Sequence, residues 1–382
     1  ATPITIDVVA PNVTITPSQS GTLRAGQTTQ LTFTLSEPAT DFTADDIAVA
    51  GGSISGFSGA GTIYSATFTP ATDFEGNATV TVGNATFTDA NGNDNDRGTL
   101  NITVDTLAPT IAISSNVGSV ASGGNANITF TLSENSTDFK LNDISVTGGT
   151  LSSLLGSNAT YNATFTPTPG FSGPATIGVA AGAFSDAAKN TNDLATSLTL
   201  AANTLQPVVT VTSDKPTLGI DETALITFTL SAPSTTFTAA DLATNVNTTG
   251  GTLTNFISVS PTSYTAVFTP LAGNTTGSVA VNASTFNDLN GNPNLDGALA
   301  TPITIDVVAP NVTITPSPAA VIPGGTATLR FELSEPATDF TADDVSIIGG
   351  TLSGFSGSGT LYTATVNLQN SVTGNATVII PT

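Results

Sequence analysis

The strongest constraint on this chain is that it repeats itself. The run Ala1–Ser18 (ATPITIDVVAPNVTITPS) returns residue for residue at Ala300–Ser317. The 4 tyrosines, Tyr64, Tyr161, Tyr264 and Tyr362, fall roughly 100 residues apart. Three of them open the pattern Y-x-A-x-F, ending at Phe68, Phe165 and Phe268, and the fourth has Val366 in place of Phe. A unit of that length supports one small core, so the chain reads as an array of equivalent domains. The duplicated run shows where two units meet. Pro3–Val9 alternates branched apolar with polar residues, Pro11 interrupts, and Asn12–Thr16 alternates again: strand, proline-stiffened joint, strand. The expected division is a terminal strand 1–9 belonging to a preceding or neighbouring domain, then repeats at 10–107, 108–205, 206–308 and 309–382, the last lacking its final strand.

Composition narrows the class and the chemistry. Hydrophobic residues make up 39% and charged residues 9%, with abundant Thr, Val, Gly and Ser, which favours strands and turns over helices. Lys+Arg total 6 against 28 Asp+Glu, a formal charge of -22, so nucleic acid and anionic membrane surfaces are excluded as expected partners and cations are favoured. With no Cys and no His, the common zinc ligands, the cysteine nucleophile and the histidine base are missing, and no enzyme is expected. No run approaches the ~20 apolar residues of a membrane-spanning helix, so membrane insertion is not expected. The absence of Met predicts a mature or excised product, exported and displayed at the cell surface.

Within repeat 1 the alternation predicts seven strands, at 13–16, 30–35, 47–50, 53–57, 63–69, 78–82 and 100–104. Turn signals at Arg24–Gln27, Gly51–Gly52, Gly59–Gly61 and Asp89–Asn93 separate them. Seven short strands in about 100 residues describe an immunoglobulin-like β-sandwich, so the expected fold is all-β, a tandem array of such sandwiches forming an elongated rod. The expected core of repeat 1 is Leu31, Phe33, Leu35, Ile47, Phe68, Val80, Val82, Leu100 and Ile102. Counterparts are Ile128, Phe130 and Leu132 in repeat 2, and Leu225 with Thr227 in repeat 3, one residue out of step with Phe228. The recurring tyrosine is expected to bury its ring and give its hydroxyl to a backbone partner.

Acids cluster by position as well. Joints occupy Asp7–Pro11, Asp105–Pro109, Asn203–Pro207 and Asp306–Pro310. In a sandwich, the loops after the second and sixth strands return to the end where the joint lies. That brings together Asp7, Glu37, Asp41 and Asp89 in repeat 1, Asp105, Glu134, Asp138 and Asp186 in repeat 2, and Asp306, Glu335 and Asp339 in repeat 4. Repeat 3 has Asn203, Ala232 and Thr236 instead, and joint loss of three acids is the signature of a shared site. Converging carboxylates make a hard-oxygen cage for Ca2+. The competing account is that Asp and Asn only shape turns, as Asp46, Asp143, Asp241 and Asp344 do if they bond the local backbone. Asp89-x-Asn91-x-Asn93 imitates the start of an EF-hand loop, but its glycine is misplaced and no glutamate closes it. The joint around Asn203–Pro207, lacking the acids, is expected to be the freer one.

The D-x-x-A-P joints, the run Ser36–Phe42 with Asp46-Ile47, the Y-x-A-T-F-T-P strand and Thr88-Asp89-Ala90-x-Gly92-Asn93 resemble the bacterial Ig-like repeats of giant surface and biofilm adhesins. That resemblance covers the whole chain. It implies an extracellular, non-enzymatic extender, often stiffened by calcium at domain junctions, with flanking repeats or like subunits as partners and its adhesive target elsewhere. A ligand- or glycan-binding adhesin module is the alternative. Because repeat 4 lacks a last strand and residues 2–9 duplicate the strand that closes repeat 3, head-to-tail donor-strand pairing into a filament is a further expectation. The chain being an excerpt of a longer array is its competitor.

Overall fold

The computed structural model describes Ile4 and residues 6–381. The terminal strand expected at 1–9 lies partly outside these, at residues 1–3 and 5. Ile6–Ala10 is not in a strand, and Ile4, Ile6 and Val8 are exposed. Contacts divide the chain into two compact units, one of residues 1–207 with 286–294 and one of residues 208–285 with 295–382.

The first unit contains repeats 1 and 2. Repeat 1 has six strands: β1 Val13–Pro17, β2 Thr29–Ala39, β3 Ile47–Ala50, β4 Gly52–Pro70, β5 Glu75–Val82 and β6 Gly98–Asp105. They form two antiparallel sheets, β1-β2-β4 and β3-β5-β6. The strands expected at 53–57 and 63–69 are parts of β4, which doubles back so that Ala71 N–H reaches the Gly51 carbonyl at 3.0 Å. Inward residues of both sheets, among them Leu31, Phe33, Phe68, Val80 and Val82, make the core; Leu100 only packs against its edge. Repeat 2 builds the same two layers, with Ile128, Phe130 and Leu132 buried and Ser119–Ala121 added parallel to Leu198–Asn203. Gly149 shows why a glycine precedes its hairpin strand: a Cβ there would lie 2.5 Å from the Phe165 ring and the Thr166 carbonyl.

The second unit carries the sheets of repeats 3 and 4. One pair is Val209–Ser213, Ala224–Leu230, Ser263–Pro270 and Gly251–Ser260 over Thr217–Leu218, Ile303–Ile305, Thr276–Val281 and Val246–Thr249; the other is Val312–Ser317, Thr326–Ala337 and Gly350–Leu368 over Ser346–Ile348 and Thr377–Ile379. The core expected at Leu225 and Thr227 is corrected here. Leu225 is 42% exposed, and Ala224, Ile226, Phe228 and Leu230 face inward, because side chains alternate faces and Phe228 sets the parity. The fold class is all-β, as the alternation implied; among the described residues no helix is long and apolar enough to cross a membrane.

The tyrosine recurs as a structural device. Tyr64, Tyr161, Tyr264 and Tyr362 donate to the carbonyls of Ala39, Ser136, Ser234 and Ala337 at 2.9, 3.0, 2.7 and 2.7 Å. Each ring meets a phenylalanine edge-on, Phe42, Phe139, Phe237 or Phe340, at centroid distances of 5.0 to 5.2 Å. In repeats 1, 2 and 4 the hydroxyl ties the far end of the long second strand to the hairpin. That strand end carries the acids considered next.

Candidate metal centre

β2 runs longer than its alternation suggests, to Ala39, and its pairing with β4 slips between Thr34 and Ala39. Glu37 therefore sits on an irregular strand end rather than in the following loop, and Glu134 and Glu335 occupy the same place in Ala126–Ser136 and Thr326–Ala337. Such irregularities re-aim side chains. Here they accompany the turning of one glutamate toward the joint.

In repeat 1 the carboxylates of Asp7, Glu37 and Asp89 offer oxygens that all lie within 4.8 Å of one another, and in repeat 2 those of Asp105, Glu134 and Asp186 do the same. The joint supplies the first acid, the irregular strand end the second, and the Asp89–Asn93 or Asp186–Asn190 loop the third. That loop is held by its own aspartate. Asp89 Oδ1 accepts from the Asn91 and Asn93 backbone at 2.8 and 2.9 Å, and Asp186 Oδ1 accepts from Asn190 at 2.9 Å. These are aspartate-centred turns, which explains the partial likeness to an EF-hand loop.

Asp41 and Asp138 lie outside both groups. Asp41 accepts from Thr88 N and Oγ1 at 3.1 and 3.0 Å; Asp138 accepts from Ser185 N and Oγ at 2.9 and 2.6 Å. Burial raises the Asp138 carboxyl, but the Ser185 and Ser136 hydrogen bonds outweigh it and hold it below the usual range. Both aspartates tether the acid-bearing loop to the strand end. Asp306 and Asp339 are exposed and Glu335 is half-buried, and these three form no such group among the described residues; the sequence contains no repeat 4 counterpart of Asp89. Asp46, Asp143, Asp241 and Asp344 bond the backbone three residues earlier, at 2.7 to 2.8 Å, and are turn formers.

Asparagines of the same loops complete the surroundings. Asn91 Nδ2 donates to Asp7 Oδ2 at 2.8 Å and Asn93 Nδ2 to Asp89 Oδ2 at 2.9 Å. Asn190 Nδ2 reaches Asp105 Oδ1 at 3.1 Å and Asp186 Oδ2 at 2.9 Å. The signal was present: Asn93, Asn190 and Asn292 each stand four residues after a loop aspartate. Glu75, paired with Asp105 across β5 and β6, adds a fourth negative charge near the second group.

The electrostatics of the two groups is one-sided. The ion pairs among the described residues, Lys140–Asp143, Lys215–Glu222 and Arg330–Glu332, include none of these acids. Burial first, then Asp105, Asp186 and Glu75, pushes the Glu134 carboxyl up to about 7, and Glu134 Oε1 is buried without a hydrogen-bond partner. Glu37 is raised by desolvation and by Asp7 and Asp89, while Asp89 is lowered, chiefly by the Asn93 side chain. An oxygen-only donor set with crowded negative charge and an orphaned carboxylate oxygen fits a hard divalent cation such as Ca2+.

The profile of the bacterial Ig-like domain matches residues 7–104, 105–202, 203–305 and 306–381. The chain belongs to this family. No curated protein matches it significantly. Solved structures similar to these bacterial Ig-like repeats include the Escherichia coli adhesin FdeC, at 17% identity over 79% of this chain and 98% of that one, TM-score 0.31. Invasin, a bacterial integrin-binding protein, is 14% identical over 94% and 74%, TM-score 0.31. The Yersinia pseudotuberculosis adhesin InvE is 13% identical over 66% and 72%, TM-score 0.24.

Proposed function

We propose that these bacterial Ig-like repeats are a non-catalytic stalk segment of an extracellular adhesin or surface fibre, with Ca2+ bound at the acid groups of the repeat junctions. Recurrence is the observation that carries this reading. The same sandwich returns four times, and a matching carboxylate group stands at the leading end of each of the first two repeats. A catalytic site is ordinarily built once, whereas a structural device repeats with the unit it stabilises. Asp7, Glu37 and Asp89 would hold one ion and Asp105, Glu134 and Asp186 another. A bound ion would supply charge neutralisation. The chain's own part is to bring a joint, a strand end and a loop to one point and to orient two carboxylates through Asn91 or Asn190. Titration calorimetry on the full chain tests this. Asp105→Ala with Glu134→Ala should remove one bound Ca2+, and unchanged stoichiometry would overturn the assignment.

End-to-end pairing of copies is the finer reading. The edge strand Thr377–Ile379 pairs only with Ser346–Ile348 among the described residues, while Ile4, Ile6 and Val8 expose the pattern that Ile303–Ile305 uses to close repeat 3. Sedimentation of the full chain and of a version lacking residues 1–9 decides it: assembly lost on deletion supports pairing. A native polypeptide that supplies its own strand after Thr382 would exclude it.

A further inference from the structure

Two turns in the first unit make the same unassigned contact. In Arg24–Gln27 the Gln27 amide donates to the Arg24 carbonyl at 3.0 Å and Gly26 has φ +75°. In Ala121–Gly124 the closing bond is 3.1 Å and Gly123 has φ +76°. The first residue's carbonyl points into the turn to accept the closing bond, so the second residue's amide, on the opposite side of the same trans peptide, points out of it. Those amides find equivalent acceptors: Ala25 N–H donates to Asn190 Oδ1 at 3.0 Å, and Ser122 N–H to Asn292 Oδ1 at 2.7 Å. Both asparagines are buried, at 4% and 0% exposure. Their Nδ2 groups are held by Asp186 at 2.9 Å and Asp288 at 3.0 Å, which fixes the carboxamide with its oxygen toward the turn. Arg24 Nη1 adds a bond to the Lys189 carbonyl at 3.1 Å, and Gln206 Nε2 one to the Pro293 carbonyl at 3.2 Å.

The second unit contains two further turns of this type. Gly219–Glu222 closes at 3.3 Å with Asp221 at φ +61°, and Ile322–Gly325 closes at 2.9 Å with Gly324 at φ +74°. Their second residues are Ile220 and Pro323. Proline suits that position because its fixed φ matches the turn, but it has no N–H to give. The turn survives while its outward donor is lost.

We propose that this second-position amide is the docking donor by which one bacterial Ig-like repeat seats the loop asparagine of the repeat that follows, and that Pro323 makes repeat 4 unable to latch a following repeat in this way. The surface fits one kind of partner, another repeat with an Asp-x-x-x-Asn loop. The latch takes its oxygen from an asparagine rather than from the acid groups, so it persists where the acids are missing.

Amide hydrogen exchange on the full chain in metal-free buffer tests the donor directly and does not depend on whether Ca2+ binds. Relative to intrinsic rates, Ala25 and Ser122 should be protected about tenfold or more over Ile220, whose amide has no acceptor among the described residues. Equal exchange at all three overturns the proposal. Ala25→Pro then installs in repeat 1 what repeat 4 carries. With nitroxides at Thr34→Cys and Thr131→Cys, in a chain that has no cysteine of its own, the distance distribution between repeats 1 and 2 should broaden while the melting temperature is kept. An unchanged distribution in a folded Ala25→Pro chain also overturns it. Should that variant not fold, the exchange result alone decides.

Discussion

Glu134→Gln is the substitution whose effect should reverse with conditions. In the metal-free protein, burial and three neighbouring acids hold the Glu134 carboxyl at about 7, above its ordinary 4.5. A raised folded-state value means the folded protein binds the extra proton, so this contribution is fully present below about pH 4.5 and is lost as pH rises through 7. At 1.36 kcal/mol per pH unit that interval is worth about 3 kcal/mol. Solvent reaching the half-buried carboxylate screens it to about 1–2 kcal/mol. Gln keeps the shape and removes the charge. In EDTA at pH 8, Glu134→Gln should therefore melt several degrees above the parent, on the order of 4–8 °C per kcal/mol for a domain near 100 residues, and the two should converge at pH 5. Saturating Ca2+ should invert the order, because an ion that binds only the folded state stabilises the parent by mass action and the amide is the weaker ligand. Scanning calorimetry across pH 5–8, with EDTA and with Ca2+, reads both effects. Parallel curves for parent and variant in EDTA would refute the electrostatic account of Glu134.

Tyr161→Phe removes a 3.0 Å bond to the Ser136 carbonyl, a buried contact, and should cost repeat 2 about 1–2 kcal/mol in urea unfolding without changing Ca2+ stoichiometry. Asn95 accepts from the Thr86 and Phe87 amides at 2.8 and 3.0 Å and donates to the Gly83 carbonyl at 2.6 Å; Asn95→Ala orphans both amides, while Gly83 keeps the Thr86 hydroxyl, and should cost about 2–3 kcal/mol, read as earlier melting of repeat 1. Gly149→Ala places a methyl against Phe165 and should destabilise by about 1–3 kcal/mol, whereas Gly170→Ala, with φ +73° but no neighbour within 4 Å, should show only the smaller backbone cost.

What the sequence determined by itself is whatever repeats. Period-two alternation and one tyrosine per unit were enough for an all-β array of sandwiches, because burying one face of a strand leaves its mark on every second residue. The tyrosine's hydroxyl bond and, Leu100 excepted, the core of repeats 1 and 2 followed from it; Leu225 failed because an apolar residue on an outer face looks the same as one inside until a neighbour such as Phe228 sets the parity. The acids were legible as sets, since Asp7, Glu37 and Asp89 recur as Asp105, Glu134 and Asp186. Tertiary structure decided which of them meet. The register slip after Thr34 turns Glu37 toward the joint while Asp41, four residues on, is spent on Thr88, and spacing along the chain cannot distinguish these outcomes. It also decided the part played by Asn190, a turn former by composition and the acceptor of a bond from Ala25 only once two repeats are packed, since an amide's partner 165 residues away is set by the fold and not by any local pattern.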